Sequence, residues 1–182
     1  MNTNMNTINL NEELIIRMAA GDKNAFSDLY RQTASAVFGF ALSMLRNRQD
    51  AEDVMHDAYI KIYRGSGAYR PRGKPMAWIL TIVRNLCYTR LKAGRICEDI
   101  SQYDHLSLEE ETGAAIDRLV LQKALDILAY EDRQIVILHA LTGMKHREIA
   151  ELLDMPLGTV LAKYKRALSR LRKELEKGGN VS

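Results

Sequence analysis

Cysteine occurs twice in 182 residues, proline three times and tryptophan once, and aromatic residues make up 7% of the chain. Cys87 and Cys97 stand ten apart without a CxxC or a nearby histidine cluster, so neither a disulfide frame nor a zinc site is supported. No run approaches the roughly 18–20 apolar residues of a membrane span. The polar start MNTNMNTINLNEE lacks the basic-then-apolar order of a secretory leader, and the cytoplasm is the expected location. A glycine-rich phosphate loop, a nucleophile elbow and an HExxH helix are all missing. His56, His105, His139 and His146 are scattered, and His139 falls in an apolar helical pattern that suits a core position. Nothing here points to an enzyme, a metal, a cofactor or a small-molecule substrate.

What is abundant favours helix. Leu, Ala, Ile, Lys, Arg and Glu dominate, and a 47% hydrophobic content is enough to bury real cores, so the chain is expected to be all-α. The net charge of +3 is unevenly placed. Residues 1–95 carry 14 basic against 8 acidic side chains, residues 96–116 none against 6, and residues 117–182 12 against 9. Two basic modules joined by an acidic connector follow from that division. The expected units are a disordered stretch 1–11, a helical domain 12–95, a flexible linker 96–116, a second helical domain 117–177 and a tail 178–182.

The first module reads as four helices. NEELIIRMAAG stops at Gly21, a natural left-handed terminator, and Asp22 can cap the long segment that follows. Asp50 can cap a third helix in which Val54, Ala58 and Ile62 share one face. A loop, GSGAYRPRGKP, precedes a fourth helix, MAWILTIVRNLCYTRLK. In the second module DRLVLQKALDILAY, EDRQIVILHALTG and KHREIAELLD lead into DMPLGTVLAKYKRALSRLRKEL.

That last stretch has the spacing of a helix-turn-helix. Ile149, Ala150, Leu153, Met155 and Val160 stand where the motif needs buried contacts, small Ala150 permits close approach, and Asp154 takes the turn position that favours a left-handed residue. Pro156 suits the first helical position. Val160, Tyr164, Ala167, Leu168, Leu171 and Leu175 form a stripe expected to face inward. Gly158, Thr159, Leu161, Ala162, Lys165 and Arg166 fall opposite, with Lys163, Arg170, Arg172 and Lys173 at the rim. Six basic residues between 163 and 173, with no acid among them, can neutralise phosphates and admit the helix to a major groove. A solvated surface helix is the alternative.

A second basic region lies upstream, where no acid occurs between Asp57 and Glu98. On the fourth helix Thr81, Arg84, Asn85, Tyr88 and Lys92 share a polar face, while Ile79, Leu80, Val83, Leu86 and Leu91 turn inward. Such a face can hydrogen-bond base edges and stack on an unpaired base, or can simply be solvated. Asp50, Glu52, Asp53 and Asp57 open the third helix, where they either complement its dipole or form a docking surface for a basic partner.

In this order, AGDKNAFSDLYRQ, DAEDVMHDAYIKIYR, WILTIVRNLCYTRL and EIAELLDMPLGTVLAKYKRALSRLRKEL resemble the extracytoplasmic-function branch of the sigma-70 family of bacterial transcription initiation factors. The likeness covers nearly everything after about residue 11. It implies a region 2-like four-helix domain and a region 4-like helix-turn-helix domain, with no intrinsic catalysis. Asp50, Glu52, Asp53 and Asp57 would dock on the coiled coil of the largest subunit of core RNA polymerase. The loop 65–74, with Arg70 and Lys74, and the face Arg84–Asn85–Tyr88 would meet the −10 element, the loop capturing an extruded base. Gly158, Thr159, Leu161, Ala162, Lys163, Lys165, Arg166 and Arg170 would sit at the −35 element, and the second module would also rest on the polymerase flap. The connector would run toward the active site and RNA exit, and an anti-sigma factor, often membrane-anchored in this branch, would be a further partner. Thr89, Leu161 and Ala162 depart from common family choices, which bears on promoter sequence. The rival readings are a helix-turn-helix regulator without the docking role and a helical adaptor with basic faces.

Overall fold

The computed structural model describes residues 10–97 and 126–178. Helices α1 (Glu13–Ala19), α2 (Lys23–Leu45), α3 (Arg48–Gly65) and α4 (Pro75–Cys97) form the first module, with a 3-10 turn Ser66–Ala68 between α3 and α4. Helices α5 (Tyr130–Thr142), α6 (His146–Leu153) and α7 (Leu157–Gly178) form the second, and no strand occurs among the described residues. The expected helix over DRLVLQKALDILAY falls largely outside the described residues, as do most of the acidic connector and the N-terminal nine residues.

Local chemistry accounts for most boundaries. The Asp22 carboxylate accepts from the amides of Asn24 and Ala25, capping α2, and Gly21 precedes it at φ +92°. Helix α2 then buries Ala25, Leu29, Thr33, Ala36, Val37, Phe40, Ala41 and Met44 at helical spacing, so one face is apolar along its whole length. Two buried residues of α2 are polar: Thr33 shares a 2.7 Å hydrogen bond with the Tyr59 hydroxyl, and the Ser43 hydroxyl donates to the Phe40 carbonyl. Gly143 ends α5 in the left-handed region, and Asp154 does the same for α6 at φ +55°. At that turn Ala150 accepts from the Met155 amide at 3.0 Å.

Several boundaries differ from expectation. Helix α3 is capped by Asn47, whose side-chain oxygen accepts from the Asp50 amide at 2.9 Å. Asp50 therefore stands inside the first turn, where its carboxylate is free to reach Arg90. Part of the expected loop is helical, because Gly65 completes α3 and Ser66–Ala68 continue as the 3-10 turn. Pro156 stands just before α7, with its carbonyl accepting from Thr159 and Val160. Leu10 is buried and the Asn11 side chain accepts from the Glu13 amide, so both residues pack onto the first module.

The core runs through both modules. Helix α2 packs against α1, α3, α4 and α5, and α4 also meets α6. One apolar cluster therefore includes Leu29, Phe40, Ile62 and Leu80 together with Ile135, Leu138, Ile149 and Val160. Gly39 permits the closest approach, since a Cβ there would lie 2.6 Å from Leu141 Cδ1. A smaller cluster, Leu128, Val136, Ala167 and Leu171, ties α5 to α7. Leu168 and Leu175, expected to face inward, are 44% and 46% exposed, whereas Leu171 is buried. Leu86 and Leu91 are half-buried, and Cys87 takes the fully buried place between them.

Candidate nucleic-acid and polymerase interface

Helix α4 presents Thr81, Asn85, Tyr88 and Lys92 to solvent, as amphipathic spacing requires. Arg84 is half-buried, its guanidinium carbon 5.1 Å from the Tyr88 ring centroid, within cation–π range. Arg84 Nε has no hydrogen-bond partner among the described residues. Tyr130 of α5 comes close to Arg84, Tyr88 and Cys87, and burial pushes its phenol up to about 12. The second module thus borders this face.

The loop before α4 is anchored inside and charged outside. Tyr69 is buried with its ring 4.9 Å from that of Trp78, while Arg70, Pro71, Arg72, Gly73 and Lys74 are exposed. Glu12 accepts from the Tyr69 hydroxyl at 2.6 Å and from the amides of Arg72 and Gly73 at 3.0 and 2.9 Å. The Tyr69 hydrogen bond chiefly holds the Glu12 carboxyl below its ordinary range, helped by the two amides and opposed by burial. Burial and the Glu12 carboxylate in turn raise the Tyr69 phenol. Lys74 Nζ lies 2.9 Å from a Glu151 carboxylate oxygen on α6.

The four α3 carboxylates have unequal surroundings. Arg90 Nη2 of α4 is 2.6 Å from Asp50 and 3.1 Å from Asp53. Glu52 pairs with Arg48 on its own helix, and no ion pair is formed by Asp57 among the described residues. The hydrogen bond to Asp50 chiefly raises the Arg90 guanidinium. An apolar groove of about 740 Å³ lies between α2 and α3, lined in part by Phe26, Tyr30, Met55, Tyr59, Ile60 and Tyr63.

On α7 the residues Gly158, Thr159, Leu161, Ala162, Lys165, Arg166 and Arg170 are all exposed, along with Arg172 and Lys173. Val160 and Ala167 are fully buried beneath them, which fixes the rotation of the helix. Lys163 departs from this set. Its ammonium lies 2.8 Å from Glu131 and 3.5 Å from buried Asp132, both on α5, and the Glu131 hydrogen bond chiefly raises its pKa. Below the helix, the rings of His139 and His146 stack at 4.6 Å with Tyr164 edge-on to both.

The exposed faces follow from helical period, whereas the partners of three side chains beside them do not. Glu12, Arg90 and Lys163 find their partners on other elements, at separations of 57–61, 37–40 and 31–32 residues, and local pattern carries no signal of such pairs.

The family described as sigma-70 region 2 matches residues 29–96, and that described as sigma-70 region 4 matches residues 118–171. The chain is 29% identical over 165 residues to the ECF RNA polymerase sigma factor SigM of Mycobacterium tuberculosis, covering 91% of this chain and 84% of that protein. It is 33% identical over 170 residues to the ECF RNA polymerase sigma factor SigE of Mycolicibacterium smegmatis, covering 87% and 66% respectively. The solved sigma factor RpoE of Bartonella quintana, in complex with the anti-sigma factor NepR, matches with a TM-score of 0.71 and 25% identity. That match spans 83% of this chain and 96% of that one.

Proposed function

The chain belongs to the extracytoplasmic-function branch of the sigma-70 family and is a sigma factor that directs transcription initiation, and from this premise we propose how its own residues divide the work. The observation that carries the division is that two exposed basic helical faces, on α4 and α7, occur in one chain with an acid-rich α3. The units that act are the domains 12–95 and 117–177.

Asp50, Glu52, Asp53 and Asp57 dock the first module on a basic surface of core polymerase, where charge complementarity sets orientation more than raw affinity. Arg70, Lys74, Arg84, Asn85 and Tyr88 meet the −10 element. Asn85 offers an amide donor and acceptor to a base edge, Tyr88 a ring on which an unpaired base stacks, and the three cations hold phosphates. Trapping bases in the unpaired state favours the opened strand. Gly158, Thr159, Leu161, Ala162, Lys165, Arg166 and Arg170 face the −35 groove. The small and aliphatic members contact thymine methyls or sugars there, and Lys165 and Arg166 supply hydrogen bonds. Lys163 acts from behind, through Glu131 and Asp132. Once one module binds, the other is delivered at high effective concentration, so each can be weak alone.

No step needs a catalytic group of this chain; its action is binding, in the cytoplasm with polymerase and promoter. An anti-sigma factor is a further partner, as the RpoE–NepR complex illustrates for that relative. A run-off assay with purified core polymerase on genomic templates tests the reading. A promoter-dependent transcript is expected, and its absence on every template would overturn the proposal. Asn85→Ala is expected to impair −10 recognition while core binding is unchanged.

A further inference from the structure

We propose that Glu12 is a positioning residue that holds the loop 69–74 in the shape in which it meets an unpaired promoter base, an inference that rests on the initiation-factor reading above. Both of its carboxylate oxygens are committed to this one loop. Oε2 accepts from the Tyr69 hydroxyl and the Arg72 amide, and Oε1 accepts from the Gly73 amide. Hydrogen bonds to an ionised carboxylate are shorter and stronger than neutral ones, and three of them converge from a stretch of five residues.

The loop itself shows what this anchoring achieves. Gly73 lies at φ +70°, a conformation that side-chain-bearing residues rarely adopt, and its N–H is one of the donors aimed at Glu12. Tyr69 is pinned on one side by the Trp78 ring and on the other by the carboxylate. Arg70 and Lys74 therefore leave a fixed backbone, Arg70 exposed and Lys74 reaching Glu151 at 2.9 Å. No acid occurs between Asp57 and Glu98, so a carboxylate acceptor for the loop's own donors must come from another element, and Glu12, just before α1, is that acceptor.

A carboxylate at the start of α1 also complements that helix's dipole. Dipole stabilisation requires no contact with residues 57–61 positions downstream, and that long reach is what assigns Glu12 to the loop. Trapping a flipped base needs a backbone already in place, because ordering the loop on contact would cost affinity and selectivity.

The test uses the full chain with Glu12→Gln, which replaces one acceptor by an amide donor facing N–H and O–H groups, and Glu12→Ala, which removes all three hydrogen bonds. In the free protein the Arg72 and Gly73 amides are expected to exchange with solvent about tenfold faster in Glu12→Ala. Holoenzyme is then allowed to select from a template pool randomised across the −10 element. The preference at the loop-read position is expected to fall about tenfold, with the Asn85-read position, the −35 preference and polymerase affinity unchanged. Unaltered exchange and selection would overturn the proposal. Uniform loss at every position, together with weaker polymerase binding, would also overturn it, reducing Glu12 to general support of the module. A wild-type holoenzyme that selects no element would overturn the sigma reading and this inference together, whereas equal selection by wild type and variant removes the inference alone.

Discussion

The Lys74 ammonium lies 2.9 Å from the Glu151 carboxylate, so a cation of the loop before α4 is paired with the helix-turn-helix of the other module. Both side chains are about half exposed, at 43% and 58%, and such pairs contribute about 0–1 kcal/mol. Glu151→Lys replaces attraction by repulsion at a site outside the DNA-facing set. The free full-length chain is expected to bind a mixed-sequence single-stranded oligonucleotide about three- to tenfold more tightly at low salt, the gain shrinking above roughly 0.5 M. Fluorescence anisotropy checks it; equal affinity at low salt would mean that Lys74 reaches DNA regardless of Glu151.

Lys163 and Arg166 sit one turn apart on α7 and are expected to fail differently. Arg166 is exposed, so Arg166→Ala should lower −35 DNA affinity and reduce the salt slope of binding by about one unit. Lys163→Ala leaves Asp132, which is only 5% exposed, without its cation, and should cost about 1–3 kcal/mol of stability with little change in that slope. Denaturant titration together with a salt series separates the two; a full unit of slope lost on Lys163→Ala would place its ammonium on phosphate.

His146 predicts how the second module responds to acid. Burial, aided by stacked His139, lowers its pKa below the ordinary 6.5, and Nε2 is buried without a hydrogen-bond partner among the described residues. The folded state then binds a proton less readily than the unfolded chain. Stability is intact above about pH 6.5 and falls as pH drops below it, because the unfolded imidazole takes the proton first. Melting temperatures at pH 7.5 and 5.5 should differ less in His146→Phe, which keeps a ring against Tyr164, than in wild type. An identical difference would show that the imidazole is solvated.

Cys87 is fully buried, and burial pushes its thiol up to about 12. With Cys97→Ser in place, the chain should show no reactive thiol at pH 8 until denaturant is added. Stoichiometric labelling of the native protein would contradict that burial.

The parts legible in the sequence are those in which a residue acts on its own neighbourhood. Asp22, Gly21, Gly143 and Asp154 set helix ends through their own side chains or φ angles, and Val54, Ala58 and Ile62 share the buried face that their spacing implies. Both Asn47 and Asp50 can cap a helix, and the choice between them is tertiary. Arg90 engages the Asp50 carboxylate, which leaves Asn47 to cap. On α7 the buried line runs through Val160, Ala167 and Leu171, so Leu168 falls beside it and Leu175 lies beyond it, although apolar periodicity includes both. The exposed set Asn85, Tyr88, Thr159, Lys165 and Arg166 was readable from helical period alone. Glu12 and Lys163 were not, since their partners are fixed only once the chain has folded.

The glycine at position 39 has a thermodynamic consequence beyond close packing. Because Leu141 rests where a side chain would otherwise stand, any event that parts α5 from α2 wets an apolar seam before a single new contact forms. Hydrating that seam raises heat capacity, whereas burying apolar surface against a partner lowers it. Calorimetry of a partner that prises the modules apart would therefore report a heat-capacity change smaller in magnitude than its contact area implies, and a partner that covers Leu141 itself would recover the difference.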